Sequence, residues 1–223
     1  MRLHSRIIAI SSLVVLASCN EDPKAATEAN FKKAIDDHYK KHCIIAGEDT
    51  TGIWNAGFPI TVDLQKVDPN ASEFFREEAE KSNALNAGKW DVLVDVGLLN
   101  VEKKNKTNSS FGGTEENPQN IYSLTDKGKA FFYRTTAFCA GHERVDSITR
   151  FSEPSDAPFG GGKYSEVVFK VSPHDVPDWA KKNAVEDAWP GLKHALEDHR
   201  EENMVLIQTN KGWIEEHDFE GKN

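Results

Sequence analysis

The sequence has an excess of negative charge, no long apolar segment in its main body, and none of the short motifs typical of common hydrolases. Lysine and arginine total 27 against 36 acidic residues, which gives a formal net charge of -9 at pH 7. This balance argues against binding to nucleic acid or to anionic lipid surfaces, because both carry negative charge. No run approaches the about 20 apolar residues that a membrane-spanning helix needs. Neither G-x-S-x-G nor S-x-x-K occurs, so no catalytic residue is assigned from a motif.

The amino-terminal residues have the pattern of a secretory signal. Arg2 and Arg6 form a short basic start, and residues 7–17 are almost wholly apolar. This run is about half the length of a spanning helix. Residues 1–18 are therefore predicted to be a targeting segment and not a membrane anchor.

Residues 16–19, with the sequence LASC, directly follow the apolar run and resemble the lipobox of bacterial lipoproteins. The resemblance implies cleavage before Cys19 and acylation of that residue with fatty chains such as palmitate. Each buried methylene contributes about 0.8 kcal/mol, so several chains hold a domain at a bilayer. Residues 19–26 are then a lipidated tether, and Asn20 in place of aspartate favours the outer membrane. The other interpretation is an ordinary signal peptide cut nearby, with Cys19 left as a free thiol.

With Cys19 acylated, Cys43 and Cys139 remain as an even pair in an oxidising compartment. They are predicted to form a disulfide bond. Two other interpretations stay open, namely two buried thiols or a nucleophilic cysteine. Cys139 lies in the segment FCAGH, so His142 would be the base of such a thiol enzyme.

Helical and strand periodicities both occur in the remaining chain, which predicts an α+β fold. Residues 27–42 are predicted to form an amphipathic helix, and Asn70 with Glu73 marks the start of a second one. A third, short helix over residues 88–96 ends at Gly97. The predicted buried face of the second helix consists of Phe74, Phe75, Ala79 and Leu85.

A segment of about 50 residues, which starts with the short helix that ends in Gly-Leu-Leu, resembles the wing and closing helix of winged-helix domains. Two strands flank a polar loop over residues 105–118, and the segment LTDKGKAFF follows them. Thr125 is the predicted cap of the closing helix, with Phe131 and Phe132 in the core. The resemblance implies a helical, winged-helix-like region over residues 27–135.

DNA binding, which this unit performs in regulators, is not expected here. The helix that precedes the wing is rich in acidic side chains, which would repel phosphates. A secreted lipoprotein also does not meet the chromosome. The acidic residues are Glu73, Glu77, Glu78 and Glu80.

Residues 136–223 are predicted to form an antiparallel sheet with a helical cover. The segments RVDSITRF and KYSEVVFKV alternate in polarity, with Val167, Phe169 and Val171 on one face. The region after Pro173 is helical with a break near Pro190, because proline lacks a backbone donor. The segments NMVLIQT and GWIEEHDF form a closing hairpin.

Gly160, Gly161 and Gly162 connect two of these strands. They are interpreted as a flexible hairpin tip, since no strand leads directly into them and no phosphate-binding helix follows. Trp179 and Trp189 lie in the late helical region. Core packing explains such residues, but a ring exposed beside the glycine loop would indicate a binding surface, because tryptophan is enriched in binding hot spots.

His38 and His42 are four residues apart and can share one helix face toward a metal. They have no third ligand nearby in sequence and do not belong to an H-E-x-x-H motif, so neither a metal nor another cofactor is expected. His194 and Asp198 have the same spacing and are interpreted as a solvated pair.

Several segments together are similar to small envelope lipoproteins of the CpmK-like family. These segments are LASC, FPITV, GLL, YSLTDKGKAFF, FCAGHERVDSI, VPDWA and NKGW. The resemblance implies a non-catalytic binding or protective role in the periplasm, with an envelope protein or a small molecule as partner. The alternative is a periplasmic hydrolase or thiol-dependent enzyme that uses Cys139 and His142.

Overall fold

The structure is a computed structural model that describes residues 22–47, 57–110, 113–156 and 162–220. It has an α+β fold in which helices pack with antiparallel sheets, as predicted. The predicted signal segment 1–18, the lipidation site Cys19, and Gly160 and Gly161 lie outside the described residues. In the part of the chain that is described, no helix is both long enough and apolar enough to cross a membrane.

The elements follow one another along the chain in a mixed order of helices and strands. They are α1 (Glu28–Tyr39), β1 (Ile45–Ala46), β2 (Ile60–Asp63), α2 (Glu73–Asp95), β3 (Leu99–Ser110), β4 (Gly113–Leu124), α3 (Asp126–Phe131), β5 (Phe132–Arg134), β6 (Ala137–Cys139), β7 (His142–Phe151), β8 (Ser155–Asp156), β9 (Lys163–His174), α4 (Asn183–Ala188), α5 (Pro190–Ala195), β10 (Arg200–Thr209), β11 (Gly212–Glu215) and α6 (Glu216–Glu220).

The described strands form three antiparallel sheets. The largest has the order β11-β10-β9-β7, and the short β8 also pairs with β9. The second has the order β2-β4-β3, and the third has the order β1-β6-β5. The predicted closing hairpin is present as β10 and β11, with Thr209 opposite Gly212 at its turn. Its second strand is shorter than predicted, because it ends at Glu215 and residues 216–219 belong to helix α6.

The first hydrophobic core lies between α1 and the largest sheet. The Thr27 side chain accepts a hydrogen bond from the Asn30 amide and so caps α1 at its amino terminus. Phe31 is fully buried on the inner face of the helix. The predicted alternation of β9 is confirmed, since Val167, Phe169 and Val171 are fully buried on one face and pack in this core.

The second core lies between α2, the β3–β4 hairpin, β6 and the α4–α5 region. Its fully buried members include Leu93, Leu98, Tyr122 and Phe138. The two cores do not divide the chain at residue 135, where the sequence analysis placed a boundary. Helix α1 packs with the carboxy-terminal sheet, whereas α4 and α5 cover the amino-terminal core.

The predicted disulfide is present between Cys43 and Cys139, whose Cα atoms are 5.2 Å apart. Cys43 follows α1, which belongs to the first core, and Cys139 ends β6, which belongs to the second. Next to the disulfide, the Ile44 amide donates to Gly141 and the Ala140 amide donates to Ile44. The covalent bond thus lies where the two cores meet.

Helix α2 is one continuous helix of 23 residues, and its predicted buried face is largely wrong. Phe74, Phe75 and Leu85 are 65%, 67% and 72% exposed. Ala79 is buried as predicted, but the large side chains that reach the second core come from the last two turns of α2. The large residues that α2 contributes to the core are Trp90 and Leu93.

The polar segment 105–118, predicted to be a loop, is mostly paired strand. The partners run from Leu99 opposite Leu124 to Ser110 opposite Gly113, so β3 and β4 form a long hairpin. Backbone hydrogen bonds hold this pairing without an apolar face, which is why hydrophobic patterning did not indicate it.

Helix α3 begins as predicted. The Thr125 hydroxyl accepts a hydrogen bond from the Gly128 amide at 2.8 Å. Phe131 packs against the second core, as predicted. The prediction that Phe132 is buried is wrong, because this residue is exposed. The chain leaves the helical conformation at Phe132 and enters β5, where the Phe132 ring still packs edge-on against Phe138 but stays 39% exposed.

Candidate functional site

A cavity of about 470 Å³ lies where the end of α1 and strand β1 face the α4–α5 pair. We call it the Trp189 cavity. Most of its wall is aliphatic or aromatic. Its main lining residues are Tyr39, Cys43, Ile44, Ile45, Trp189 and Leu192.

The sequence builds this wall through the helix break at Trp189. Pro190 occupies the first turn of α5, where the missing backbone donor costs nothing. Trp189 therefore leaves the helical conformation, with φ -130° and ψ 85°. Its ring packs partly on the second core and partly lines the cavity, so Trp189 is half-buried.

A few polar groups complete the cavity. His42 and Lys89 lie exposed at its edge, and Glu143 is half-buried on the opposite side, where it pairs with Arg200. Burial raises the pKa of Glu143 even though the Arg200 guanidinium acts in the opposite direction. Burial also raises the pKa of the Tyr39 phenol, and the negative charge of Glu143 adds to the shift. An apolar wall with a few polar groups is typical of small-molecule sites.

The disulfide forms part of the same region, and the predicted pair of Cys139 and His142 is brought together. His142 Nε2 lies 3.6 Å from Cys43 Sγ and 4.0 Å from Cys139 Sγ. Because the two sulfurs are bonded to each other, neither is a thiol nucleophile in this oxidised form.

Two other cavities are lined mainly by polar residues. One, of about 430 Å³, lies between α2 and the β3–β4 hairpin and is lined in part by Asn83, Lys103 and Gln119. The other, of about 390 Å³, lies at His142 and includes Asp36 and Lys40. The Trp189 cavity is the largest of these three, and aliphatic and aromatic residues make up most of its lining.

Trp179 and Gly162, the other described residues of the predicted binding surface, lie elsewhere. Trp179 is 3% exposed and packs edge-on against Phe131 and Phe138, in agreement with core packing. Gly162 adopts φ +112° just before β9, and a Cβ there would lie 3.0 Å from the Gln208 carbonyl. Gly162 does not line the Trp189 cavity.

His38 and His42 do share one face, and their ring centroids are 4.2 Å apart. The sequence near these histidines indicates no third possible metal ligand, but the fold supplies one. This group is Asp218 of α6, whose Oδ1 lies 3.2 Å from His42 Nε2. Burial lowers the pKa of His38, and His42 lowers it further. Burial opposes ionisation of Asp218, but hydrogen bonds from Lys41 and His42 outweigh it and lower its pKa to about 2.

Sequence reasoning missed Asp218 because 176 residues separate it from His42. No local spacing pattern signals a contact of that range. His194, predicted to pair with Asp198, instead lies 3.1 Å from Glu197. No protein-family model, curated protein or solved structure that was compared with this chain matches it.

Proposed function

We propose that this protein is a lipid-anchored module of the bacterial envelope that binds a small molecule in the Trp189 cavity without a catalytic step of its own. The observation that carries the proposal is the cavity, whose volume of about 470 Å³ lies within the range of small-molecule sites. The lipobox-like segment at Cys19 supports attachment to a membrane through acyl chains and not through insertion of the folded domain.

The wall of the cavity favours a ligand with an aromatic or aliphatic body. Trp189 offers a large flat ring at low entropic cost, and Ile44 and Leu192 add aliphatic surface. The exposed Lys89 at the edge favours an anionic group on the ligand. Binding that withdraws such a compound from solution is a protective role in the sense implied by the CpmK-like resemblance.

The winged-helix-like scaffold is part of this proposal. Its support is the chain order α2, β3, β4 and α3, with β2 paired to β4. The acidic residues of α2 argue against nucleic acid as a partner, and the exposed Glu77 and Glu80 are examples. We place the protein in the periplasm, attached to the outer membrane, with a small molecule or an envelope protein as its partner.

A second candidate is the thiol-dependent enzyme that uses Cys139 and His142. The observation that favours it is the His142 ring nitrogen 4.0 Å from Cys139 Sγ, close enough to exchange a proton after a small movement. This activity requires reduction of the bond to Cys43, since a disulfide sulfur carries no thiol proton.

The fluorescent probe 1-anilinonaphthalene-8-sulfonate tests the cavity, because it combines an aromatic body with one negative charge. We expect the native protein to bind it with a saturable fluorescence increase. Trp189→Ala is expected to weaken this binding by about tenfold or more, because the half-buried Trp189 ring forms a large part of the cavity wall. The measurement is a fluorescence titration of the folded variant, with circular dichroism as the check on folding.

Phe74→Ala is the matched control, because Phe74 is also a large aromatic residue but lies exposed on α2, outside the cavity. This variant is expected to bind the probe as the native protein does. Equal losses in the two variants would mean that the probe reports exposed apolar surface, and the cavity proposal would then be wrong.

The anchor is tested by mass spectrometry of protein isolated from membranes. We expect an amino terminus at Cys19 that carries acyl chains, and we expect Cys19→Ala to move the protein from the membrane fraction to the soluble fraction. Several chains are needed for stable anchoring, so loss of the acylated residue removes the attachment completely. An intact amino-terminal methionine or an unmodified Cys19 sulfur would contradict the proposal.

A further inference from the structure

We infer that His38, His42, Glu215 and Asp218 form a binding site for a divalent transition-metal ion such as Zn²⁺. We call these four residues the α1–α6 cluster. The site goes beyond the proposed small-molecule function, although His42 also lies at the edge of the Trp189 cavity.

The fold brings the four residues together through the packing of the last hairpin on α1. Phe31 of α1 and Trp213 of β11 are in edge-to-face contact, with ring centroids 4.8 Å apart. Glu215 ends β11 and Asp218 lies in α6, which follows directly. His38 lies in the last turn of α1, so the carboxylates are placed against the end of that helix.

Three distances between the donor atoms are close to those around a tetrahedral metal. His38 Nδ1 lies 3.4 Å from Asp218 Oδ2 and 3.5 Å from Glu215 Oε2. His42 Nε2 lies 3.2 Å from Asp218 Oδ1. Zinc bonds of about 2.0–2.2 Å at the tetrahedral angle separate neighbouring ligand atoms by about 3.3–3.6 Å. One ligand atom from each of His38, His42 and Asp218 lies within 4.8 Å of the others, so these three residues form the centre of the site. Glu215 is placed as the fourth ligand through its contact with His38 Nδ1.

The Nδ1 atom of His38 is buried against the two carboxylates. It is shielded from solvent and makes no hydrogen bond of good geometry to the described residues. Nearly all buried polar atoms in proteins make such a bond. This nitrogen instead faces two carboxylate oxygens at distances that suit shared coordination better than a direct hydrogen bond.

Hydrogen bonds around the cluster hold the carboxylates in place. His217 Nδ1 lies 2.7 Å from Glu215 Oε1, and the Asp218 amide donates to Glu215 Oε2 at 3.0 Å. Such outer contacts orient metal ligands and tune their affinity. A ligand set of imidazoles and carboxylates suits zinc and its neighbours in the first transition series, whereas magnesium and calcium prefer oxygen ligands alone.

Lys41 competes with the metal for the same carboxylate. Its Nζ lies 3.0 Å from Asp218 Oδ2, and the side chain is otherwise exposed. When an ion binds, the ammonium group turns into solvent, because two positive charges at one carboxylate repel each other. Removing Lys41 is therefore expected to tighten metal binding, a change that a merely structural ion-pair cluster does not predict.

The test is calorimetric titration of the metal-free full chain with Zn²⁺ under non-reducing conditions. The chain carries Cys19→Ala, which removes the third cysteine as a competing ligand. We expect one ion per chain. His42→Ala and Asp218→Asn each weaken binding by about 100-fold or more, since even loss of an outer partner costs about 10–100-fold. Lys41→Ala binds more tightly.

His194→Ala is the matched control, because this exposed histidine also pairs with a carboxylate, that of Glu197. It is expected to leave the affinity unchanged. The visible spectrum of the Co²⁺-loaded protein gives a second measurement, with a tetrahedral signature that Asp218→Asn abolishes. Absence of binding, an equal loss in His194→Ala, or binding only after reduction of the Cys43–Cys139 bond would overturn the inference.

Discussion

Replacing Cys43 and Cys139 together by alanine is expected to lower the free energy of unfolding by about 4 to 5 kcal/mol. The disulfide closes a loop with a sequence separation of 96 residues, and the chain-entropy model predicts a stabilisation of this size. The unfolded chain without the bond has more conformations, so folding loses more entropy. Equilibrium unfolding in urea, followed by circular dichroism, measures the difference from the oxidised native protein.

The native protein in the presence of reductant is the control. It should unfold at the same urea concentration as the double variant. Thiol titration of oxidised protein, folded and denatured, should detect no thiol at Cys43 or Cys139. A double variant as stable as the oxidised protein would contradict the prediction. A reactive thiol at Cys139 in the native protein would favour the enzyme that uses His142.

Gly128→Ala is expected to destabilise the protein by about 3 kcal/mol or more. A Cβ atom at this position would lie 2.0 Å from the carbonyl oxygen of Leu98 and 3.0 Å from its carbonyl carbon. Both are backbone atoms, so no side-chain rotation relieves the overlap. Helix α3 must move away from the start of β3, which disturbs the buried Leu98 and the Thr125 cap. Thermal and urea unfolding measure the loss.

Gly88→Ala is the matched control, because this glycine also lies inside a helix. Apart from its own turn of the helix, no heavy atom of the described residues lies within 4 Å of the position that its Cβ would take. Alanine restricts the unfolded chain and favours helix, so we expect this variant to be more stable by about 0.5–1 kcal/mol. Helix propensity alone predicts the same sign for both substitutions. Equal effects in the two variants would therefore show that the packing at Gly128 does not matter.

The elements predicted correctly are those in which local pattern and tertiary environment agree. The helical spacing of Phe31 and Ile35 predicted α1, and the alternation of Val167, Phe169 and Val171 predicted β9. In both, the apolar side chains face a partner that covers them. Thr125 was predictable because a cap acts through the amides of its own turn.

The wrong predictions share one cause, which is that apolar character does not specify a partner. Phe74, Phe75 and Leu85 have the spacing of a buried face, but the described elements leave that part of α2 exposed. The polar hairpin of β3 and β4 gave the opposite error. Backbone hydrogen bonds hold its two strands together, and the polarity of the side chains does not reveal this pairing.

The candidate sites depend still more on the tertiary structure. His38 and His42 were visible as a pair, but Glu215 and Asp218 reach them only because the last hairpin packs on α1. The Trp189 cavity likewise requires α5 to lie opposite the residues that follow α1. Contacts between distant segments leave no periodic signal in either segment.

The amino-acid sequence by itself determined the α+β character, the main helix and strands of the first core, and the pairing of Cys43 with Cys139. These features follow from local periodicity and from the number of cysteines available. Only the tertiary structure decided which apolar residues are buried, where the Trp189 cavity lies, and which carboxylates face His38. The physical reason is that burial and coordination depend on distances between segments, whereas periodicity describes each segment alone.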